Sequence, residues 1–115
     1  MVVKRIVSNI AACDTSDAVA FYGDFLGLDV AMDLGWIVTW RSTEQMTVQV
    51  SIATQGGAEL PVPDLSIEVD NVDELYARAT SSGFEILYPL TDEPWGVRRF
   101  YVRDPFGKVV NILSH

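Results

Sequence analysis

Three short runs alternate apolar and polar residues, and their polar positions are where chemistry would be built. Asp64, Ser66 and Glu68 alternate with Leu65, Ile67 and Val69. Thr47, Gln49 and Ser51 alternate with Val48, Val50 and Ile52, and Arg99, Tyr101 and Arg103 alternate with Phe100 and Val102. A period of two puts the sets on opposite faces of a strand. The polar set offers carboxylates, a phenol, an amide and guanidiniums, which together suit a zwitterionic or mixed polar–aromatic ligand. A solvated sheet face gives the same pattern, and an ion pair from Arg99 to Asp64 or Glu68 would make the face structural.

Nucleophilic chemistry lacks its parts. Cys13 is the one cysteine, and the one histidine, His115, is the last residue, so Cys13 has no histidine to act as base. It reads as a small filler beside a helix start. Gly56-Gly57 lacks the lysine and helix that complete a phosphate loop.

The elements that must position these residues come as two copies of one unit. The stretch from Asp14, DTSDAVAFYGDFLG, carries Ala18, Phe21, Tyr22 and Phe25 at i, i+3, i+4 and i+7. The stretch from Asp70, DNVDELYARATSSG, carries Val72, Leu75, Tyr76 and Ala79 at the same spacing. Both predict an amphipathic helix, capped by Asp14 or Asn71 and stopped by Gly27 or Gly83. Gly23 weakens the first by about 1 kcal/mol against alanine, for no reason visible in the sequence. Strands are predicted over 4–11, 28–32, 36–41 and 47–52, and again over 64–69, 84–88, 97–103 and 109–113. The unit is thus βαβββ, used over 1–53 and 62–115 of a single 1–115 domain, with a Gly/Pro-rich connector at 54–63. Asp104-Pro105-Phe106-Gly107 is a type I turn joining the last two strands.

Composition bounds the function. The 115 residues, 49% hydrophobic, are enough for one self-sufficient core. A net charge of −8 disfavours nucleic acid and favours cationic small molecules, although Arg98, Arg99, Arg103 and Lys108 form a local basic patch. One cysteine excludes a disulfide framework, and no apolar run approaches the ~20 residues of a membrane span. The start, MVVKRIVSN, lacks a signal-peptide pattern, so a cytoplasmic location is expected and a membrane partner is not.

The segments AFYGDFLGLDV, SIEVDNVDELYARATSSGFEI and PWGVRRFYVRDPFGKVVNIL, in order across nearly the whole chain, resemble the vicinal oxygen chelate superfamily. That superfamily contains glyoxalase I, extradiol dioxygenases, fosfomycin-resistance enzymes and bleomycin-resistance proteins. The resemblance implies an α+β fold in which two βαβββ units form cup-shaped half-barrel sheets, usually completed in a homodimer. It also implies four metal-ligand positions, held here by Val7, Gln49, Asp64 and Asn111 in place of a histidine and glutamate set. One carboxylate and two amides do not make a transition-metal site, so neither metal nor other cofactor is expected. Trp36 and Trp95 match tryptophans of the bleomycin-resistance pattern, and Tyr101 matches a site tyrosine of the extradiol dioxygenases.

The expected ligand-binding set is therefore Trp36, Gln49, Asp64, Glu68, Trp95, Arg99, Tyr101, Arg103 and Asn111. The first expected function is a metal-independent, antibiotic-like binding protein for an aromatic or cationic small molecule. The second is a divergent lyase, isomerase or dioxygenase with Asp64 as base and Tyr101 as acid.

Overall fold

The computed structural model describes residues 1–115, which separate into two compact units, Met1–Leu60 and Pro61–His115. The second unit is a complete βαβββ. Its strands are β3 (Leu65–Glu68), β4 (Ile86–Asp92), β5 (Arg98–Arg103) and β6 (Val109–Ser114), and its helix is α1 (Val72–Ser81). The sheet order is β3-β6-β5-β4, with β3 parallel to β6 and the other pairs antiparallel.

Local chemistry explains each boundary. Asn71 Oδ1 accepts from Glu74 N at 3.1 Å, and Asn71 Nδ2 donates to the Glu74 carboxylate at 3.3 Å, a reciprocal cap on α1. Gly83, at φ 75°, turns the chain so that Phe84 N reaches Ala79 O at 3.1 Å. Val72, Leu75 and Ala79 form the buried stripe, and Tyr76 meets Phe100 edge-on at 5.0 Å. Beneath α1, Phe100, Val102, Val110 and Ile112 are wholly buried, each contributing about 1.5–3 kcal/mol. The β5–β6 turn falls where predicted: Asp104 Oδ1 accepts from Phe106 N and Lys108 N, both at 2.8 Å.

The first unit realises only part of its predicted pattern. Asp14 caps a 3-10 turn, Thr15–Ala18, by accepting from Ser16 N at 2.9 Å. The chain then runs as a π-helix, Val19–Phe25, rather than as the regular helix expected, with Phe21, Tyr22 and Phe25 buried. Gly23 now has its reason: a Cβ there would lie 2.9 Å from Trp40 Cζ3, so the bare backbone admits the indole. Strands β1 (Asp29–Asp33) and β2 (Val38–Arg41) pair antiparallel, with a bulge between Val30 and Met32.

The runs 4–11 and 47–52 carry no strand, which corrects the expectation of a second complete unit. A strand exists only by pairing, and a parallel pair is the weaker kind. In the second unit that pair is clamped by side chains. Asp64 Oδ2 accepts from Val109 N at 2.8 Å, and Ser114 Oγ donates to Val69 O at 2.9 Å. Residues 4–11, KRIVSNIA, contain no carboxylate to repeat the first clamp, and Ile6-Val7 and Ser8-Asn9 break the alternation. Without a partner, the cleanly alternating 47–52 stays exposed apart from Val48, which is half-buried.

Candidate ligand-binding site

The face of the second unit's sheet away from α1 gathers most of the expected residues. Register places Ser66, Asn111, Tyr101 and Tyr88 side by side across β3, β6, β5 and β4. The neighbouring row is Glu68, Leu113, Arg99 and Thr91. Asn111 is buried; its Nδ2 donates to Ser66 Oγ at 3.2 Å, while its buried Oδ1 receives no hydrogen bond. A buried acceptor left without a donor costs free energy, so this oxygen is an unsatisfied polar atom of the face.

Beside that row lies a caged cation. Arg99 Nε donates to Glu93 Oε1 at 3.3 Å, and the Tyr88 hydroxyl donates to the same oxygen at 2.7 Å. The Arg99 and Glu93 side chains are 5% and 4% exposed. The Arg99 Cζ lies 5.6 Å from the ring centre of Tyr88, 5.1 Å from that of Trp95 and 5.2 Å from that of Tyr101. Each such contact of a desolvated guanidinium with a ring is worth up to about 2 kcal/mol. The expected partners of Arg99, Asp64 and Glu68, are thus replaced by Glu93. The sheet explains this, because Asp64 closes the β3–β6 edge and Glu68 accepts from His115 Nδ1 at 3.1 Å.

Tyr101 is 2% exposed, and its hydroxyl donates to Pro61 O at 3.3 Å. Burial holds that hydroxyl above its ordinary pKa, against the opposing pull of the Arg99 charge. Arg103 is taken up by Glu85 Oε2 at 2.8 Å and Gly107 O at 2.9 Å, a structural tie across the sheet edge and turn.

Trp95 sits in the tight 93–97 turn between β4 and β5, closed by Glu93 N to Val97 O at 2.8 Å. It covers the Arg99 guanidinium yet remains 53% exposed. Trp36 lies at the β1–β2 turn, 78% exposed, and Val7 and Gln49 are exposed on the runs without strand. The donor set that resemblance assigns to a metal therefore does not fit one. Its single carboxylate, Asp64, is occupied by the Val109 amide, and its amides supply only neutral oxygens.

Sequence reasoning missed Glu93 and Tyr88, and it put Ser66 on the polar face without including it in the binding set. Glu93 directly precedes the PWG segment, which was the available signal. Tyr88 was hidden by register shifts on either side of it in β4. An open cleft of about 470 Å³ lies beside the start of α1. There Arg98 bridges Asp73 at 2.6 Å and Asp92 at 3.1 Å, filling the acidic surroundings with the chain's own cation.

The family model described as Glyoxalase/Bleomycin resistance protein/Dioxygenase superfamily matches residues 3–112. TioX from Micromonospora sp. ML1 is similar at 26% identity, covering 97% of this chain and 96% of that one, with a TM-score of 0.65. A superfamily member from Sphaerobacter thermophilus DSM 20745 shares 21% identity over 99% and 98% of the two chains, with a TM-score of 0.72. A lactoylglutathione lyase from Agrobacterium tumefaciens shares 23% over 96% and 93%, with a TM-score of 0.67. No curated protein matches.

Proposed function

The chain belongs to the Glyoxalase/Bleomycin resistance protein/Dioxygenase superfamily, and on that premise we propose that it binds and sequesters a small, antibiotic-like aromatic molecule without a metal ion. The observation that carries this reading is the pairing of a half-exposed indole, Trp95, with a buried, unpartnered acceptor, Asn111 Oδ1, in the same βαβββ unit. An aromatic ligand would stack on the first and donate a hydrogen bond to the second. The enzyme reading is weaker, since Asp64 and the Tyr101 hydroxyl are already engaged with Val109 N and Pro61 O.

A cytoplasmic location and a homodimer go with this reading. Ile6, Val7, Val50 and Ile52 are exposed on the strand-patterned runs of the first unit, and pairing of copies would cover them.

The test is a fluorescence titration with aromatic and cationic antibiotics, on protein whose dimer mass sedimentation has checked. A ligand should quench emission, survive dialysis against chelator, and bind Trp95→Ala about ten- to a hundredfold more weakly, the equivalent of about 1–3 kcal/mol. Equal binding by a folded Trp95→Ala variant refutes the site.

A further inference from the structure

The Trp95 indole has one resident already. The guanidinium of Arg99 lies 5.1 Å from its ring centre, and the Tyr88 and Tyr101 rings wall the same cation at 5.6 and 5.2 Å. Such a cage of aromatic faces would hold a ligand cation; here the chain fills it with its own. We infer that the exposed face of Trp95 selects neutral or anionic planar ligands and rejects cationic ones. This rests on the reading above that a ligand stacks at Trp95, and it specifies that ligand's charge.

A cation draws the electrons of an aromatic ring toward its own side. The opposite face of the indole is then a poorer partner for a second cation, and a better one for a neutral or electron-rich ring. The charges around the turn do not reverse this. Glu93 is paired with Arg99, the intervening Pro94 and Gly96 are neutral, and Arg98 serves both Asp92 and Asp73, which leaves one exposed carboxylate charge on the opposite, helix-side face of β5. The net charge of −8 acts from farther off and is screened over about 8 Å at physiological salt. A ligand stacked about 3.5 Å beyond the indole places its charge about 8–9 Å from the guanidinium. Repulsion at that range weakens a cation about two- to twentyfold between the water-like and protein-like dielectric limits. Glu93, held at 3.3 Å on the Arg99 Nε, pulls the effect toward the lower end.

The test uses one aromatic skeleton with three charges: 2-naphthoate, 2-naphthol and 2-naphthyltrimethylammonium. Binding is read from the Trp95 indole N–H resonance of 15N-labelled protein, assigned by its loss in Trp95→Phe. The naphthol should shift that resonance at about two- to twentyfold lower concentration than the ammonium, and the naphthoate, attracted by the same guanidinium, at a lower concentration still. In the charge-free pair Glu93→Gln with Arg99→Gln the gap should close. The wild-type series decides alone if that variant does not fold. An ammonium that binds wild type as tightly as the naphthoate overturns the charge selection and leaves the stacking site standing. No Trp95 shift with any of the three overturns both.

Discussion

Removing the Glu93 carboxylate tests whether the Arg99 cage is a buried ion pair or a surface decoration. Both side chains are at or below 5% exposure, and Glu93 Oε1 is shared by Arg99 Nε and the Tyr88 hydroxyl. Glu93→Ala leaves a buried guanidinium without its counter-charge and the half-buried Tyr88 phenol without its acceptor. Breaking one side of a buried pair costs about 3–5 kcal/mol. The three rings around Arg99 keep part of their attraction, which favours the lower end of that range. For a domain of this length each kcal/mol moves the melting temperature by about 4 °C, so a fall of about 12–20 °C is expected. Glu93→Gln keeps an oxygen for both donors and loses only the charge, so it should cost less, about 1–3 kcal/mol.

Denaturant unfolding followed by near-ultraviolet circular dichroism reports both the stability and the aromatic packing, and an unchanged slope assigns the loss to the native state. The double variant Glu93→Gln with Arg99→Gln removes both charges and should recover part of the loss, with a coupling of about 0.5–3 kcal/mol. A loss below about 1 kcal/mol for Glu93→Ala, or strict additivity in the cycle, would refute the caged pair, because an exposed pair behaves in that way.

Gly23→Ala should destabilise the chain despite the gain of about 1 kcal/mol that alanine brings to a helix, because its Cβ would meet Trp40 at 2.9 Å. Thermal melts should show the loss, and combining the change with Trp40→Leu should remove it; a Gly23→Ala variant at least as stable as wild type refutes the contact. Tyr101 should ionise above the ordinary tyrosine range in an absorbance titration, assigned by its loss in Tyr101→Phe. Its folded value lies above the unfolded one, so its contribution to stability is complete below about pH 10 and is lost as pH rises through the folded value. Ionisation of Tyr101 in the ordinary tyrosine range would contradict its burial.

The second unit was legible because its signals are local and agree with one another. The cap at Asn71, the stop at Gly83, the turn at Asp104 and the alternation of 64–69 each act within a few residues, and each is found in place. The failures lie where the outcome depends on residues far apart in sequence. Whether 4–11 pairs with 47–52 depends on clamps that no single run reveals, and the equivalent pair in the second unit is secured by contacts 45 residues apart. The partner of Arg99 was missed for a related reason. Face assignment by alternation puts Asp64 and Glu68 on its side, but it says nothing about a carboxylate that folds back from a hairpin turn. Glu93 lies six residues from Arg99 in sequence and reaches it only because the 93–97 turn is tight.

Arg98 and Arg99 leave adjacent positions for opposite faces of β5, and together they hold the turn that carries Trp95. On the helix side Arg98 joins Asp92, at the end of β4, to Asp73 in the first turn of α1. On the other side Arg99 joins Glu93, the next residue along the chain. The two ties differ in strength. Arg98 and its partners are exposed, so each contact is worth only a few tenths of a kcal/mol to about 1 and weakens with salt. The Arg99 tie is buried and is not screened in that way. The turn is thus fixed at Asp92-Glu93 and at Arg98-Arg99, with the Glu93 N to Val97 O bond between them. The fixed turn sets where the Trp95 backbone stands, and the Arg99 guanidinium 5.1 Å from the ring centre restrains the indole itself. Ordering a side chain at an interface costs about 0.5–1.5 kcal/mol, and the indole already packed on Arg99 has part of that cost behind it before a ligand arrives.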